Sequence, residues 1–527
     1  MTSSHPARVS AWAPLQQPIF RLLWFAALAS NIGTWMQTVG AQWLLVGLPG
    51  AATLVALVQT ADTLPDVLLA FPAGTLADAF DRRRLLILVQ LFQVVVGTTL
   101  TAFTLTGHIN PPLLLGFTFL LGAGGAMAVS PYQALIPELV PRNQLAAASA
   151  LGAISVNLAR AIGPAIAGLL IGSVGVAWVF ALNTVTFLGL IAVLLIWRRP
   201  IDTAAQGPER FVSALRAGGR YLKYSPVTRR ILFRLGLFVA PATAIWALLP
   251  LVAHQLLGLG AEGYGVLLGA VGLGAIAGAF ALPRFSQRLS LNQLLVVASV
   301  AYGLAMAVLV TVHNPIAACV VLVPAGAAWV LVIANLNATL QVFLPGWVRA
   351  RGLAAYQIVV FGSQAGGALV WGFLAEWTGL IAVFLIAAGA LLAAVATIRV
   401  WPLYDVRGVN REATVVWPEP SLGFEPDPDT GPILVTTTYT VSPDRQERFF
   451  QATERLRLSR LRTGAIRWEL YQDGAEPTRF VEEYTVPSWE EHLRQHHGRL
   501  TGADVEIERE VDALSDPPPQ TRHLFPA

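Results

Sequence analysis

Charge is scarce in this chain. Only 13% of its 527 residues are Asp, Glu, Lys or Arg, against about 25% in an ordinary soluble protein, and its mean hydropathy is +0.60. That shortage argues against the three or four soluble domains that the length would otherwise suggest. Cysteine is scarcer still: Cys319 stands alone inside an apolar run. A single cysteine excludes an intrachain disulfide and a cysteine-ligated metal centre, and assigns Cys319 to packing. No metal site is expected. Residues 1–19 have no apolar core and no small-residue cleavage site, and they carry Pro6, Pro14 and Pro18, so no cleaved leader is expected. No Walker motif occurs, which excludes ATP-driven transport by this chain alone. No flavin or haem motif is visible, and no cofactor is expected.

Long apolar runs fill the space instead. A helix crossing a ~30 Å hydrocarbon core needs about 20 apolar residues. Segments of that kind fall near 20–46, 52–77, 85–106, 112–133, 144–171 and 175–197. Six more fall near 229–254, 263–283, 291–312, 315–341, 350–376 and 380–400. One such run alone could be a buried helix of a soluble protein; twelve in succession specify a polytopic membrane protein. Arginines flank alternate connections: Arg21, Arg82 to Arg84, Arg142, Arg198 through Arg230, Arg284 and Arg288, and Arg349 and Arg351, with Arg399 and Arg407 after the last run. The intervening connections hold no Lys or Arg. By the positive-inside rule both termini are cytoplasmic, in a multi-pass protein of the cell (inner) membrane. Net charge is +4, with the basic residues at membrane edges. That suits anionic headgroups and calls for no nucleic-acid partner.

Internal repeats suggest how the runs are grouped. Gly74-Thr-Leu-Ala-Asp-Ala-Phe-Asp-Arg-Arg-Arg84 recurs weakly 204 residues later as Gly278-Ala-Phe-Ala-Leu-Pro-Arg-Phe-Ser-Gln-Arg288. Gly163-Pro-Ala-Ile-Ala-Gly168 recurs at the same offset as Gly367-Ala-Leu-Val-Trp-Gly372. Leu145-Ala-Ala matches Leu353-Ala-Ala at 208, which makes the fifth helix one turn longer than the eleventh. Two parallel six-helix halves are therefore expected, over 1–197 and 229–401, joined by a cytoplasmic segment over 198–228.

After Arg399 the composition changes. A linker rich in Pro, Glu and Asp is expected over 402–431, and a soluble α+β domain over 432–527. Ile433 to Val441 has strand composition and Asp444 to Leu461 helical spacing. Ala465 to Tyr471 and Arg479 to Val486 read as a hairpin around Asp473-Gly474. Ser488-Trp-Glu-Glu491 opens a helix, another follows to about Leu514, and a last strand lies near Thr521 to Phe525. This is the ferredoxin-like order. Sixteen carboxylates against twelve arginines leave this tail acidic.

The Gly74–Arg84 stretch resembles the loop joining the second and third helices of major facilitator superfamily transporters, G-x-L-A-D-R-x-G-R-R, with Asp81 where that motif has Gly. Leu64-Pro65, Pro72-Ala-Gly74, Leu135-Ile-Pro137-Glu-Leu-Val-Pro-Arg142 and Ala159 to Gly168 resemble the exporters grouped with the enterobactin exporter. The resemblance covers the twelve-helix portion. It implies the major facilitator fold and proton-driven efflux of a small organic molecule such as a siderophore or drug. The tail resembles small domains of the antibiotic-biosynthesis-monooxygenase type through its element order, Trp468, Trp489 and His496-His497. That implies a homodimer through paired sheets; an oxygenase and a regulatory or dimerising module both stay open, with His496 and His497 equally readable as solvated residues at a helix end.

Candidate residues follow from chemistry at depth. Asp62 and Asp66 are four apart, on one face of the second helix. Asp62 and Arg160 each lie about 15 Å from the outer ends of their helices at 1.5 Å per residue. A lone charge in hydrocarbon costs about 2.5–3.5 kcal/mol by insertion scales, so these groups should face a wet cavity. They serve as proton-coupling candidates, with Arg160 tuning a carboxylate or binding an anionic group; a static pair holding two helices is the alternative. Gly74, Asp78, Asp81, Arg82, Arg83 and Arg84 form the candidate gating loop, in which an arginine compensates Asp78; a topogenic role is the alternative. Gly152, Gly163, Pro164 and Gly168 resemble the antiporter motif of drug exporters, with Ala167 replacing one expected Gly. Close helix packing is the alternative. Asn31, Trp35, Gln37, Trp246, Asn335, Asn337, Gln341 and Gln364 are candidates to line the cavity or to bond helices together, and Gln364 corresponds by repeat to Arg160. Partners implied are lipid, protons and a small organic substrate. A channel would need a continuous polar stripe, which no run shows. A membrane-anchored enzyme would need one anchoring helix, not twelve. An importer or uniporter of the same fold remains the other reading.

Overall fold

A computed structural model describes residues 10–197, 211–406, 410, 414 and 422–526, excepting the side chains of 71, 75, 77–79 and 211–215. Much of the expected inter-bundle segment and linker, including Arg198 and Arg407, lies outside the described residues. Six long apolar helices come first: α1 (Pro18–Leu45), α2 (Ala51–Ala79), α3 (Arg82–Leu105), α4 (Pro111–Leu139), α5 (Leu145–Val174) and α6 (Val176–Ile196). After a short helix α7 (Phe211–Tyr224) come six more: α8 (Pro226–Leu251), α9 (Ala261–Arg288), α10 (Leu291–Thr311), α11 (Pro315–Phe343), α12 (Gly346–Thr378) and α13 (Leu380–Ala396). All twelve long helices are apolar enough to cross a bilayer, as expected. Prolines sit inside several of them, Pro65 and Pro72 in α2, Pro131 and Pro137 in α4 and Pro164 in α5. Packed neighbours can satisfy the carbonyls these prolines free, so the helices continue through them.

One expectation needs correction. The fifth helix is not longer than its counterpart: α5 has 30 residues and α12 has 33. α12 starts at Gly346, just after Pro345, so the Leu-Ala-Ala match does not mark equivalent positions. The segment before α8 contains α7, a helix that the sequence reading did not mark. Ala217 and Tyr221 are buried and four residues apart, while Arg216 is exposed. A 14-residue amphipathic helix escapes a search for 20-residue apolar runs.

The chain divides into two units. The first gathers α1–α6, α9, α10, α13 and the larger parts of α8, α11 and α12. Within it α1 packs on α5 and α6, α2 on α4, α3 on α4 and α6, α10 on α13, and α5 on α9 across the two halves. The second unit holds α7, residues 336–356 and the tail.

The tail runs β1 (Ile433–Thr440), α14 (Gln446–Thr463), β2 (Arg467–Gln472), β3 (Arg479–Val486), α15 (Trp489–Arg494), α16 (Gly502–Asp512) and β4 (Gln520–Leu524). β1 alternates buried and half-buried residues, the period of a strand with one covered face. The sheet order is β2-β3-β1-β4, all antiparallel, with Val435 opposite Tyr484 and Leu434 opposite Leu524. This is the expected ferredoxin-like arrangement. Tyr439, Phe449, Leu456, Phe480 and Val511 form one core under α14 and α16. Inside it the fully buried Glu482 accepts from Arg460 Nε at 3.3 Å, Trp468 Nε1 at 2.8 Å and Tyr439 Oη at 3.1 Å. Glu508 takes Arg460 Nη2 at 2.6 Å. Removing Glu482 leaves a buried guanidinium short of a partner, and Glu482→Ala is expected to cost the tail about 3–5 kcal/mol, read as a lowered denaturant midpoint.

His496, one of the two histidines expected at a helix end, is buried, with its ring centroid 4.5 Å from that of His492; His497 is exposed. His523 Nε2 on β4 lies 3.0 Å from His492 Nε2. Burial first, then the charges of His523 and Arg460, push His492 from the usual 6.5 down to about 3. An unfolded tail protonates His492 near pH 6.5, but the folded tail holds it neutral until about 3. The unfolded state binds the extra proton between those values, so stability is fullest above 6.5 and is lost as pH falls toward 3. Protection factors of β1–β3 amides in the full chain, taken against the intrinsic exchange rate at each pH, should fall across that window, and less so in His492→Gln. Flat protection factors would reject the assignment.

Candidate functional site

α2 presents Gln59, Asp62, Thr63 and Asp66 along one face, at helical spacings of three and four. All four line a cavity of about 290 Å³, room for about ten waters at ~30 Å³ each. α1 contributes Trp35 and Gln37, α5 Arg160, α8 Trp246, α11 Trp329, and α12 Phe361 and Gln364. The cavity therefore takes walls from both halves, and the repeat-related pair Arg160 and Gln364 lies on it. Gln93 of α3 and Asn183 of α6 complete the polar lining.

Arg160 is held by rings. Its Cζ lies 5.5 Å from the Trp35 ring centroid and 5.9 Å from that of Trp246, each contact worth about 0.5–2 kcal/mol. Nη1 reaches Asn157 Oδ1 at 3.5 Å, and the buried Nε has no hydrogen-bond partner. No ion pair joins Arg160 to a carboxylate, and neither Asp62 nor Asp66 has a side-chain hydrogen bond or ion pair, among the described residues. Asp62, Asp66 and Arg160 line one cavity, with no ion pair among the three.

The other polar candidates divide. Trp35, Gln37, Trp246 and Gln364 line the cavity, and Asn183 Nδ2 donates to Gln37 Oε1. Asn31, Asn335, Asn337 and Gln341 are not among the lining residues. Asn31 donates to Ser155 at 3.2 Å, Asn335 accepts from Ser286 at 3.1 Å, and Gln341 donates to Asn337. Those four bond helices together or pair locally. Gln59 and Thr63 were missed, although reading the Asp62–Asp66 face one turn further would have found them. Gln93, Asn183, Trp329 and Phe361 are single residues in apolar runs, with no local signal.

In the loop candidate, Asp81 accepts from Arg84 N at 2.8 Å and so caps α3. Arg82 Nη1 donates to Ala134 O and to Glu138 Oε1, both at 3.0 Å. Arg83 donates to Leu194 O at 2.6 Å and Leu195 O at 3.2 Å, satisfying carbonyls that the end of α6 leaves open. Arg84 is exposed, and a Cβ added at Gly74 would meet nothing within 4 Å. The Asp78 side chain, expected to be compensated by an arginine, lies outside the described residues. Glu138, a partner 56 positions away, had no sequence signal.

The antiporter-like motif forms a seam. A Cβ on Gly163 would sit 2.7 Å from Trp35 Cβ, and one on Gly168 would sit 2.6 Å from Ala261 O. From the other side, a Cβ on Gly265 would lie 2.5 Å from Pro164 O. Gly152 faces open space and is not part of the seam. Gln42 Nε2 donates to Trp246 O at 3.2 Å and accepts from Tyr264 Oη, while Thr60 Oγ1 donates to Ala365 O at 3.0 Å. Apart from Thr60, near mid-helix, these contacts between halves gather toward the ends whose connections lack arginine.

The family model described as transmembrane secretion effector matches residues 9–526. The chain is similar to the staphyloferrin A transporter of Staphylococcus aureus, 22% identical over 52% of this chain and 69% of that protein. It is 28% identical to the multidrug efflux pump Tap of Mycobacterium tuberculosis over 47% of this chain and 65% of that one. With the enterobactin exporter EntS of Salmonella typhimurium it shares 31% over 34% of this chain and 43% of that one. These matches span about two fifths to two thirds of the relatives' lengths. Among solved structures, a mutant of the nucleoside transporter NupG has a TM-score of 0.60 at 12% identity, covering 72% of this chain and 99% of that one. The D-xylose–proton symporter reaches 0.58 at 13%, covering 73% and 98%. At such identities the likeness is one of fold.

A leucine at Gly265 cannot be seated unless α5 and α9 separate. Spin labels at positions 174 and 260 are expected to move apart by at least about 1–2 Å in Gly265→Leu, from the size of the overlap with the α5 backbone. An unchanged distance would deny the seam its role in bringing the helices together.

Proposed function

This chain belongs to the transmembrane secretion effector family of the major facilitator superfamily, and on that premise we propose that it exports a small organic molecule by proton-coupled alternating access. The observation that carries the reading is the cavity between the halves, where Asp62 and Asp66 face Arg160 with no ion pair among them. Two unpartnered carboxylates one turn apart repel each other, and a proton on either relieves that repulsion. Arg160 offers its free Nε edge to an anionic group of the cargo while Trp35 and Trp246 hold its plane. Trp35 belongs to one half and Trp246 to the other, so rocking of the halves changes the guanidinium's surroundings.

The arginine-bearing ends face the cytoplasm in this reading, following the positive-inside rule. The seam then closes the outer side, and the cavity is loaded from within. Arg82 and Arg83 latch the α2–α3 loop to the ends of α4 and α6, so the first half moves as one body. A siderophore- or drug-like cargo is supported by the names of the relatives, and an export direction by the same names.

The test is proton flux in proteoliposomes, screening siderophores and hydrophobic drugs against wild type, Asp62→Asn and Asp66→Asn. Cargo movement driven by a pH gradient, falling at least tenfold in one or both variants, is expected. Gradient-driven transport that survives in both variants would remove the proton role from α2. Transport indifferent to the gradient in the wild type would make the protein a uniporter.

A further inference from the structure

Acceptors gather on one wall of the transport cavity. Asp62 and Asp66 of α2 carry no side-chain hydrogen bond or ion pair among the described residues. Between them, Thr63 Oγ1 donates its proton to Gln59 O at 2.8 Å, which leaves that hydroxyl only lone pairs to offer. Gln93 of α3 also lines the cavity and is 6% exposed. Its Nε2 is spent on Leu121 O at 3.3 Å, and its Oε1 has no partner. A buried amide oxygen left unpaired costs about 1–3 kcal/mol unless something meets it. One turn of α4 brings the two helices to the same place. A Cβ on Gly122 would lie 2.6 Å from Asp62 O, and one on Gly124 would lie 2.5 Å from Gln93 Cγ. Ala61 O, 3.4 Å from that same point on Gly122, loses its usual helical donor because Pro65 has no N–H.

We propose that Asp62, Thr63, Asp66 and Gln93 form a site for one monovalent cation, Na⁺, which competes with protons for the two carboxylates. Hard cations take oxygen ligands, and carboxylate, hydroxyl and amide oxygens are what this wall offers. Charge sets the valence. Asp62, Asp66 and Arg160 are the charged residues on the lining, and two carboxylates against one guanidinium leave one negative charge for a monovalent ion to neutralise. Among the described residues no group of three or more His, Cys, Asp or Glu is placed to hold a metal ion, the donor set a transition metal would take. Paired carboxylates favour the ion that approaches them more closely, which is Na⁺ over K⁺. A bound Na⁺ relieves the repulsion between Asp62 and Asp66 as a proton would. Either ion then loads the same state, and Arg160 is left to the cargo. The inference rests on the reading of α2 as the coupling helix and names a second ion for it.

The experiment is equilibrium binding of radiolabelled Na⁺ to the full-length protein in detergent, with choline chloride holding ionic strength constant and no cargo present. Saturable binding is expected, displaced by unlabelled NaCl and at least about tenfold less well by KCl. It should weaken as the medium is acidified, because a protonated carboxylate is a poorer ligand. Asp62→Asn and Asp66→Asn, each close in shape to the wild type, should lower the affinity by about tenfold or more, as for loss of a charged partner. Gln93→Met should lower it too, and unaltered melting of the three variants without Na⁺ confirms that they fold. No saturable binding, equal displacement by KCl, or affinity unchanged in both aspartate variants would overturn the site. The transport assay separates this inference from the reading beneath it. Cargo movement driven by a pH gradient in a protein that binds no Na⁺ overturns the cation site and leaves proton coupling standing. Saturable Na⁺ binding in a protein indifferent to the pH gradient supports the site and makes a Na⁺ gradient the driving force to apply.

Discussion

Hydrocarbon offers no hydrogen bonds, and the rest of the structure follows from that. Every backbone or side-chain polar group at membrane depth must find a partner within the protein or face a water-filled space. The arginines near helix ends show the first solution. Arg83 closes the carbonyls of Leu194 and Leu195, and Arg234 closes those of Ala394, Thr397 and Trp401. Each works as a clamp on a neighbouring helix end, favoured also by the negative pole of that end. Threonines show a cheaper version by bonding back one turn, as Thr63 does to Gln59 O and Thr118 to Leu114 O. The second solution is the cavity. Among the described residues, Asp62, Asp66, the Nε of Arg160 and the Oε1 of Gln93 find no protein partner, and all four residues lie on its wall. Groups left unsatisfied by the protein in one place are groups open to water or to a ligand.

The same constraint shapes the closed seam. With no hydrophobic drive between helices in lipid, association rests on close approach, and small residues supply it. Gly168 and Gly265 bring α5 and α9 backbone to backbone, and Gly372 lets α12 approach Ala56 Cβ and Ala52 O of α2. Directional bonds across the seam are few, chiefly those of Gln42 and Thr60. A contact built from shape with few bonds can open without stranding many polar groups. An interface of ion pairs would strand buried charges on opening.

Local chemistry made much of this legible from sequence. Helix length set by bilayer thickness is a strong signal, so the twelve spans could be read. Two carboxylates four residues apart declare a face, and the 204-residue offset relates Arg160 to Gln364. What escaped depends on distant partners. Nothing near Arg82 points to Glu138, and nothing in an apolar run marks Asn183 as lining while Asn31 turns to Ser155. Polar residues in such runs look alike in sequence, because rotation about the helix axis by a fraction of a turn decides between cavity and seam. α7 escaped for a different reason. Its 14 residues have an amphipathic pattern that length-based reading discards.

The tail extends the argument beyond the membrane, because its buried carboxylates also find their partners within the protein. Glu482 is saturated by Arg460, Trp468 and Tyr439. Asp504 accepts from Thr501 N and Oγ1 at 3.0 and 2.6 Å, from Ser459 at 2.5 Å, and from Arg462. Although burial alone would raise its carboxyl, those donors and the Arg462 charge hold it below the usual range. Carboxylates so fully engaged fix the fold and have little left to offer a ligand.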